Sequence, residues 1–209
     1  YIADLESICF LASKYNAIVH VDDSHATGFL GPNGKGSADY CNVLDKVDII
    51  TSTFGKALGG ASGGYTTSSK YIIDMLRQKS RPYLFSNSLA PSIVYASIKA
   101  IDLVEKNIKL RNTLISNTKY FRDKISKMGF EIKEGNHPII PIMIKDAKIA
   151  KGLALDMLKK NIYVIAFSYP VVPKGTSRIR VQIGANHNQN QLDKALDAFL
   201  FYGKKYQII

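Results

Sequence analysis

The chain has 209 residues, of which 46% are hydrophobic and 22% are charged, with a formal net charge of +11 and two cysteines. This composition is typical of a globular protein and excludes a disordered or fibrous chain, and the few cysteines exclude a disulfide-stapled scaffold. No apolar run reaches the roughly 20 residues that a membrane-spanning helix needs. The positive charge suits nucleic acid, an anionic membrane surface or a phosphorylated small molecule, and does not choose between them.

The first hundred residues alternate helices and short apolar strands. The predicted elements are, in chain order, a helix at 3–15, strands at 17–21, 46–53 and 65–69, and a helix near 69–78. The run at 17–21 is continuously apolar and indicates a buried strand that ends at Asp22. Such alternation predicts an α/β fold with a mostly parallel sheet and crossover helices.

From about Ala90 the pattern changes to longer helices and a second set of strands. Pro91 stands where a first-turn proline is tolerated, and Gly129 ends the second long helix. The predicted elements are helices at 92–107, 110–129 and 146–160 and from about 190, with strands at 130–134, 138–145, 162–167 and 178–185. We expect a second, smaller α/β domain here, joined to the first through a helix rather than a flexible linker.

Lys56 lies in a glycine-rich segment directly after a predicted strand. Gly55, Gly59 and Gly60 surround it, so that the backbone can approach a ligand closely. A P-loop requires Ser or Thr after its lysine, but Ala57 follows Lys56, and no Rossmann glycine pattern is present. A lysine in this setting can instead serve as a Schiff-base amine, which needs a carbonyl cofactor or substrate.

Pyridoxal phosphate requires an amine, a carboxylate for its ring nitrogen and donors for its phosphate. Asp22 follows a predicted strand, and ligands of open α/β sheets lie beyond strand ends. His25 is placed to reach the ring oxygen, and Thr53 to donate to the phosphate. Each residue alone has an ordinary alternative, such as a turn carboxylate or a solvated lysine, and only their combination indicates the cofactor.

A metal site is disfavoured for the same segment. His20 and Val21 face opposite sides of a strand, and the sequence has no second cluster of ligands near this histidine. We therefore expect no bound metal.

Four segments of the sequence resemble the α-oxoamine synthases, which are pyridoxal-phosphate enzymes of fold type I. They are VDDSHATGFLGPNGKGS, DIITSTFGKALGGASGGY, RPYLFSNSLAPSIV and YPVVPKGTSRIRVQIGANH. The similarity covers about the second half of that family's chain, so we expect part of a longer polypeptide. It implies the aspartate aminotransferase-like α/β fold, with 1–100 as the second half of the cofactor-binding large domain and 101–209 as the small C-terminal domain.

The resemblance also implies roles for single residues. Lys56 would carry pyridoxal 5'-phosphate and move a proton, Asp22 would pair with the ring nitrogen, and His25 would bind the phenolic oxygen. Thr53 would bind the phosphate. The implied cofactor-binding set is Asp22, Asp23, Ser24, His25, Thr53, Lys56, Ser86 and Asn87, and its last two members would reach across a dimer interface.

Arg180 would bind the carboxylate of glycine through its planar fork. Arg178 lies on the same face of the predicted strand, and the spacing alone does not decide between the two arginines. A salt bridge at the strand edge is the ordinary alternative for either.

The implied activity is the condensation of glycine with acetyl coenzyme A to 2-amino-3-oxobutyrate and coenzyme A, or its reverse in threonine breakdown. Activities of the 5-aminolevulinate synthase, 8-amino-7-oxononanoate synthase and serine palmitoyltransferase types stay open, because they differ only in the amino acid and the acyl donor. We expect a homodimer with a shared active site, no nucleic-acid or membrane partner, and a cytoplasmic location, with a mitochondrial one left open.

Two noncatalytic alternatives are disfavoured. A basic RNA-binding module is one, but the lysines alternate with acidic residues and no RNP-like aromatic motif is present. A noncatalytic subunit is the other, but Lys56, Asp22, His25 and Arg180 are all retained.

Overall fold

The computed structural model describes residues 2–209, which form two compact units, Ile2–Ile108 and Lys109–Ile209. The α/β class predicted from the sequence is confirmed in both units. The units divide between Ile108 and Lys109, at the start of the helix Ile108–Lys127, whereas the predicted domain boundary at 100/101 lies inside the helix Pro91–Lys106 and stays a prediction. Within residues 2–209, no helix is both long and apolar enough to cross a bilayer.

The first unit combines five α-helices and a short 3-10 helix at Leu44–Lys46 with a three-stranded mixed sheet. Its elements are α1 (Leu5–Tyr15), β1 (His20–Asp22), α2 (Ser37–Tyr40), β2 (Ile49–Thr53), β3 (Gly64–Ser68), α3 (Lys70–Lys79), α4 (Arg81–Leu84) and α5 (Pro91–Lys106). The strand order is β1–β2–β3, with β1 parallel and β3 antiparallel to β2. Only the β1–β2 pair has the predicted parallel direction, because β3 follows β2 through a loop too short for a crossover.

Strand β1 is shorter than the apolar run that predicted it. It begins at His20 and includes Asp22, whereas residues 17–19 precede it and bond to β2 only through the carbonyl of Val19, which accepts the N–H of Ile49 at 3.1 Å. Val19 and Val21 are buried with Leu5 and Cys9 of α1. Packing of these two valines against α1 therefore fixes the position of β1 and of Asp22 at its end.

The second unit places its helices against an antiparallel sheet. Its elements are α6 (Ile108–Lys127), β4 (Ile139–Lys145), α7 (Ala147–Lys159), β5 (Ile165–Phe167), β6 (Ser177–Gln182) and α8 (Gln189–Lys205), and the strand order is β4–β6–β5. Ile179 and Val181 of β6 are buried in the core of this unit, where Phe199 of α8 meets Phe121 with ring centroids 6.2 Å apart. Arg178 and Arg180 alternate with these core residues and lie on the other face of the sheet.

The strand predicted at 130–134 is wrong. The segment makes a single bridge, between Ile132 and Ile142 of β4, and forms no longer ladder. The ladder stops because Pro141 has no N–H to donate to the carbonyl of Lys133, and the buried guanidinium of Arg122 donates to that oxygen at 2.8 Å instead. Gly135 then turns the chain with a φ of 128°.

Helices α7 and α8 are joined by a carboxylate with three donors. Asp156 accepts hydrogen bonds from Lys159 and Lys205, each at 2.8 Å, and from the hydroxyl of Tyr206 at 3.0 Å. These donors hold the pKa of Asp156 well below its usual range, Lys159 first among them. The ionised carboxylate therefore stabilises the folded state.

We expect Asp156→Asn to lower the free energy of unfolding at neutral pH, because an amide loses both ion pairs. A depressed folded-state pKa contributes stability that is present above the unfolded pKa, which is about 3.9, and that is lost as the pH falls below it. The difference between wild type and variant should therefore shrink below about pH 4 in denaturant titrations. A difference that stays constant across that range would contradict this account.

Candidate functional site

The candidate site lies where β1 and β2 end. The two strands are parallel and pair Asp22 with Thr51, so both carboxyl ends open at the same edge of the sheet. The segment after β1 carries His25, and the loop after β2 carries Lys56. The positive charges of Lys56 and His25 both lie within electrostatic reach of the Asp22 carboxylate.

Asp22 is exposed and ionised at this edge. Its Oδ1 accepts the backbone N–H of Ser24 at 2.8 Å. Hydrogen bonds from Ser24 lower the pKa of Asp22 most, and the nearby charges of Lys56 and His25 lower it further. A carboxylate held in its charged form beside solvent is suited to pair with a protonated nitrogen of a ligand.

The loop that carries Lys56 is folded tightly against α5. The backbone N–H of Gly60 donates to the carbonyl of Phe54 at 2.8 Å. A Cβ at Gly60 would lie 2.4 Å from Oγ of Ser97 on α5, so only glycine fits here. The side chain of Lys56 is exposed and makes no hydrogen bond or salt bridge within residues 2–209, which leaves its amine available to a ligand.

Thr53 closes the base of this loop. Its hydroxyl donates to the carbonyl of Gly63 at 2.9 Å and accepts the N–H of Gly55 at 3.2 Å. Phosphate binding by Thr53 stays a prediction, and it would require the hydroxyl proton to leave Gly63.

Asp23 faces away from Asp22 and into the first unit. Its side chain is buried, and Oδ2 accepts the backbone N–H of Ser37 at 2.9 Å while Oδ1 accepts the Ser37 hydroxyl. Burial raises the pKa of Asp23. Cofactor binding by Asp23 stays a prediction, and the observed contacts give its carboxylate a structural task. Ser37 was missed at the sequence level, although Gly36–Ser37 before a short helix is a helix-start signal.

Ser86 and Asn87 lie beyond α4 and are exposed. The hydroxyl of Ser86 donates to the carbonyl of Pro82, and so stays within its own turn. Their predicted contact with a partner subunit's cofactor is not tested by a single chain and stays a prediction.

The two arginines of β6 have different surroundings in the second unit. Arg178 donates from Nε and Nη2 to the carbonyl and hydroxyl oxygens of Thr176, at 3.0 and 3.2 Å. Cζ of Arg180 lies 5.6 Å from the ring centroid of Phe167 on β5. Strand alternation puts Phe167 on the same face as both arginines, a signal that sequence reasoning did not use.

No group of three or more His, Cys, Asp or Glu side chains in the described part of the chain is arranged to hold a metal ion. His20, the histidine nearest the site on β1, has its Nε2 3.1 Å from the hydroxyl of Thr51.

The family model for aminotransferases of classes I and II matches residues 2–199. The chain belongs to this family. A 2-amino-3-ketobutyrate coenzyme A ligase of Salmonella typhimurium is 54% identical over 208 residues, which are 100% of this chain and 52% of the relative. An 8-amino-7-oxononanoate synthase of Thermosipho melanesiensis is 40% identical over 208 residues, 100% of this chain and 53% of the relative.

A solved serine palmitoyltransferase of S. paucimobilis, with a bound PLP–myriocin aldimine, has a TM-score of 0.95 and 30% identity. The alignment covers 100% of this chain and 53% of that one. These matches confirm the resemblance to the α-oxoamine synthases, and this family member spans about half the length of the relatives it matches.

Asp22 and Asp23 allow the stability contributions of an exposed and a buried carboxylate to be compared at neighbouring positions. Asp23→Ala should lower the free energy of unfolding by about 1–3 kcal/mol, because the buried N–H and hydroxyl of Ser37 lose their acceptor. Asp22→Ala should change it by no more than about 0.5 kcal/mol, because its carboxylate is exposed. Urea unfolding of both variants checks this, and equal losses would contradict the burial difference.

Proposed function

We propose that this chain forms the lysine-bearing part of a pyridoxal-phosphate-dependent glycine C-acetyltransferase. Such an enzyme condenses glycine with acetyl coenzyme A to 2-amino-3-oxobutyrate and coenzyme A, and acts in reverse in threonine degradation. The observation that carries the proposal is the grouping of Asp22, His25 and Lys56 at one sheet edge. The higher identity to the 2-amino-3-ketobutyrate coenzyme A ligase, 54% against 40%, supports acetyl coenzyme A as the acyl donor.

Pyridoxal phosphate needs an amine for its aldehyde, a carboxylate for its ring nitrogen and donors for its phosphate. The described residues fit the first two of these needs. The Lys56 amine is exposed on its loop, and Asp22 is an ionised carboxylate within its electrostatic reach. At the phosphate end Thr53 supplies a hydroxyl that is already bonded to Gly63. A phosphate group accepts more hydrogen bonds than this one hydroxyl can donate, so further donors are needed.

When bound, pyridoxal phosphate supplies an electron sink that stabilises negative charge on the carbon next to the amine of glycine. Asp22 would keep a proton on the ring nitrogen, because its depressed pKa favours the charged partner of a cation. His25 would donate to the phenolic oxygen. Lys56 would hold the cofactor and, once glycine has displaced it, take the α-proton of glycine at Nζ.

The geometry of β6 favours Arg180 over Arg178 as the ligand of the glycine carboxylate. Two donor groups of Arg178 are bonded to Thr176 of its own loop. The guanidinium carbon of Arg180 instead lies near the aromatic ring of Phe167. A bidentate fork needs two N–H donors on one edge, and Arg178 would have to release its bonds to Thr176 to offer them.

A homodimer with a shared site is also proposed. The segment around Ser86 and Asn87 carries large exposed apolar side chains, among them Phe85 and Tyr95, which are 76% and 75% exposed. Side chains of this size favour burial against another surface. A cytoplasmic location stays part of the proposal.

The test uses a full-length polypeptide that contains these 209 residues, loaded with pyridoxal phosphate. Thiol release from acetyl coenzyme A should depend on glycine, and succinyl and longer acyl thioesters should react more slowly. Lys56→Ala should reduce the rate at least about 100-fold, because both the cofactor anchor and the proton acceptor are lost. Lys46→Ala, which removes an exposed lysine outside the site, is the matched control.

Borohydride reduction followed by peptide mapping locates the cofactor independently of turnover. The pyridoxyl label should be on Lys56. A label on another lysine would overturn the site assignment, and a preference for succinyl coenzyme A would move the enzyme to a sister activity.

The two arginines give a second matched pair. Arg180→Ala should raise the glycine KM about 10- to 100-fold, because a charged, bidentate hydrogen-bonded contact is lost. Arg178→Ala should change it by about threefold at most, since its donors serve Thr176. Steady-state kinetics with varied glycine decides, and the reverse order of effects would transfer the carboxylate contact to Arg178.

A further inference from the structure

The contact between Phe167 and Arg180 suggests a role for Phe167, an apolar residue that is not among the candidate site residues named above. We propose that Phe167 is a positioning residue, whose ring orients the Arg180 guanidinium to receive the substrate carboxylate. This inference rests on the proposed function, since it assumes that Arg180 binds glycine.

The contact is diagonal across two strands. Ile165 is the residue of β5 directly opposite Arg180, and Phe167 is directly opposite Arg178. Phe167 and Arg180 are thus two positions apart on the same sheet face, a separation that an aromatic ring and a long side chain can bridge. The 5.6 Å between Cζ and the ring centroid is within the range of a cation–π contact.

Neighbours on both sides confine the stem of Arg180. Strand β6 is central in its sheet, and Arg180 is paired with Pro141 of β4 on one side and Ile165 of β5 on the other. Its Nε is buried. The aliphatic stem therefore has little freedom, and the ring of Phe167 is placed to restrain the guanidinium that lies beyond it.

An aromatic ring is suited to this task in a way that a carboxylate is not. The ring attracts a cation through its negative face and takes up none of its N–H donors. A carboxylate in the same place would bond the donor edge and compete with the carboxylate of glycine. Arg178 illustrates such competition, because oxygens of Thr176 already occupy its Nε and Nη2.

The test compares Phe167→Leu with Phe167→Tyr in the full-length enzyme loaded with pyridoxal phosphate. The dissociation constant of glycine is measured from the change in cofactor absorbance, without the acyl donor. Phe167→Leu should raise it about 3- to 30-fold, since the ring is lost, whereas Phe167→Tyr keeps the ring and should stay within about twofold. The rate at saturating glycine and the KM for acetyl coenzyme A should change little in both variants.

Glycinamide separates positioning from a general structural effect, because it has the amine of glycine without the carboxylate. Its dissociation constant should be the same in wild type and Phe167→Leu. Equal weakening for glycine and glycinamide, or an unchanged glycine constant in Phe167→Leu, would overturn the inference while the proposed function stands. A wild-type enzyme whose absorbance does not respond to glycine would overturn both.

Discussion

The buried carboxylate of Asp23 anchors the turn on which the candidate site is built. Its side chain binds both the backbone and the hydroxyl of Ser37, and its carbonyl accepts the hydroxyl of Ser52 at 3.2 Å and the N–H of Ala26 at 2.9 Å. These bonds tie the end of β1 to α2 and to β2. Because consecutive residues of an extended chain face opposite sides, anchoring Asp23 inward presents Asp22 outward.

The lysine loop is held by close packing rather than by ion pairs. Gly60 allows the loop to lie against Ser97 of α5, and Gly64 lies so near the carbonyl of Ser52 that a Cβ would be 2.5 Å from that oxygen. The hydroxyl of Thr53 closes the loop from within. Since these contacts belong to the backbone and to small side chains, the long side chain of Lys56 stays outside them, within electrostatic reach of Asp22.

In the second unit the sheet has an apolar face in the core and an opposite face that carries two arginines. One face of β6 contributes Ile179 and Val181 to the core, and the other presents two arginines of similar sequence context. Their neighbours distinguish them, because Thr176 bonds Arg178 whereas Phe167 lies near Arg180. The network around Asp156 fixes α7 to α8 behind the core face, and so supports the sheet on which these arginines are mounted.

The sequence by itself determined the long helices and most strands, and it indicated candidate residues for the site. Periodicity located the ends of the long helices to within two residues, and the pattern around Lys56 with Asp22 indicated the cofactor class. The short helices α2 and α4 were missed, because four residues carry too little periodicity. Sequence patterns of this kind indicate only which side of a helix or strand is apolar and which residue types are close to one another along the chain.

Tertiary structure alone decided which partner each polar group finds. The segment 130–134 has strand-like residues, but Pro141 on β4 has no N–H for the carbonyl of Lys133, which binds Arg122 instead. Asp23 binds Ser37, 14 residues away, and Arg180 meets Phe167 through strand pairing. These contacts depend on the register and packing of distant segments, and no local periodicity encodes that information.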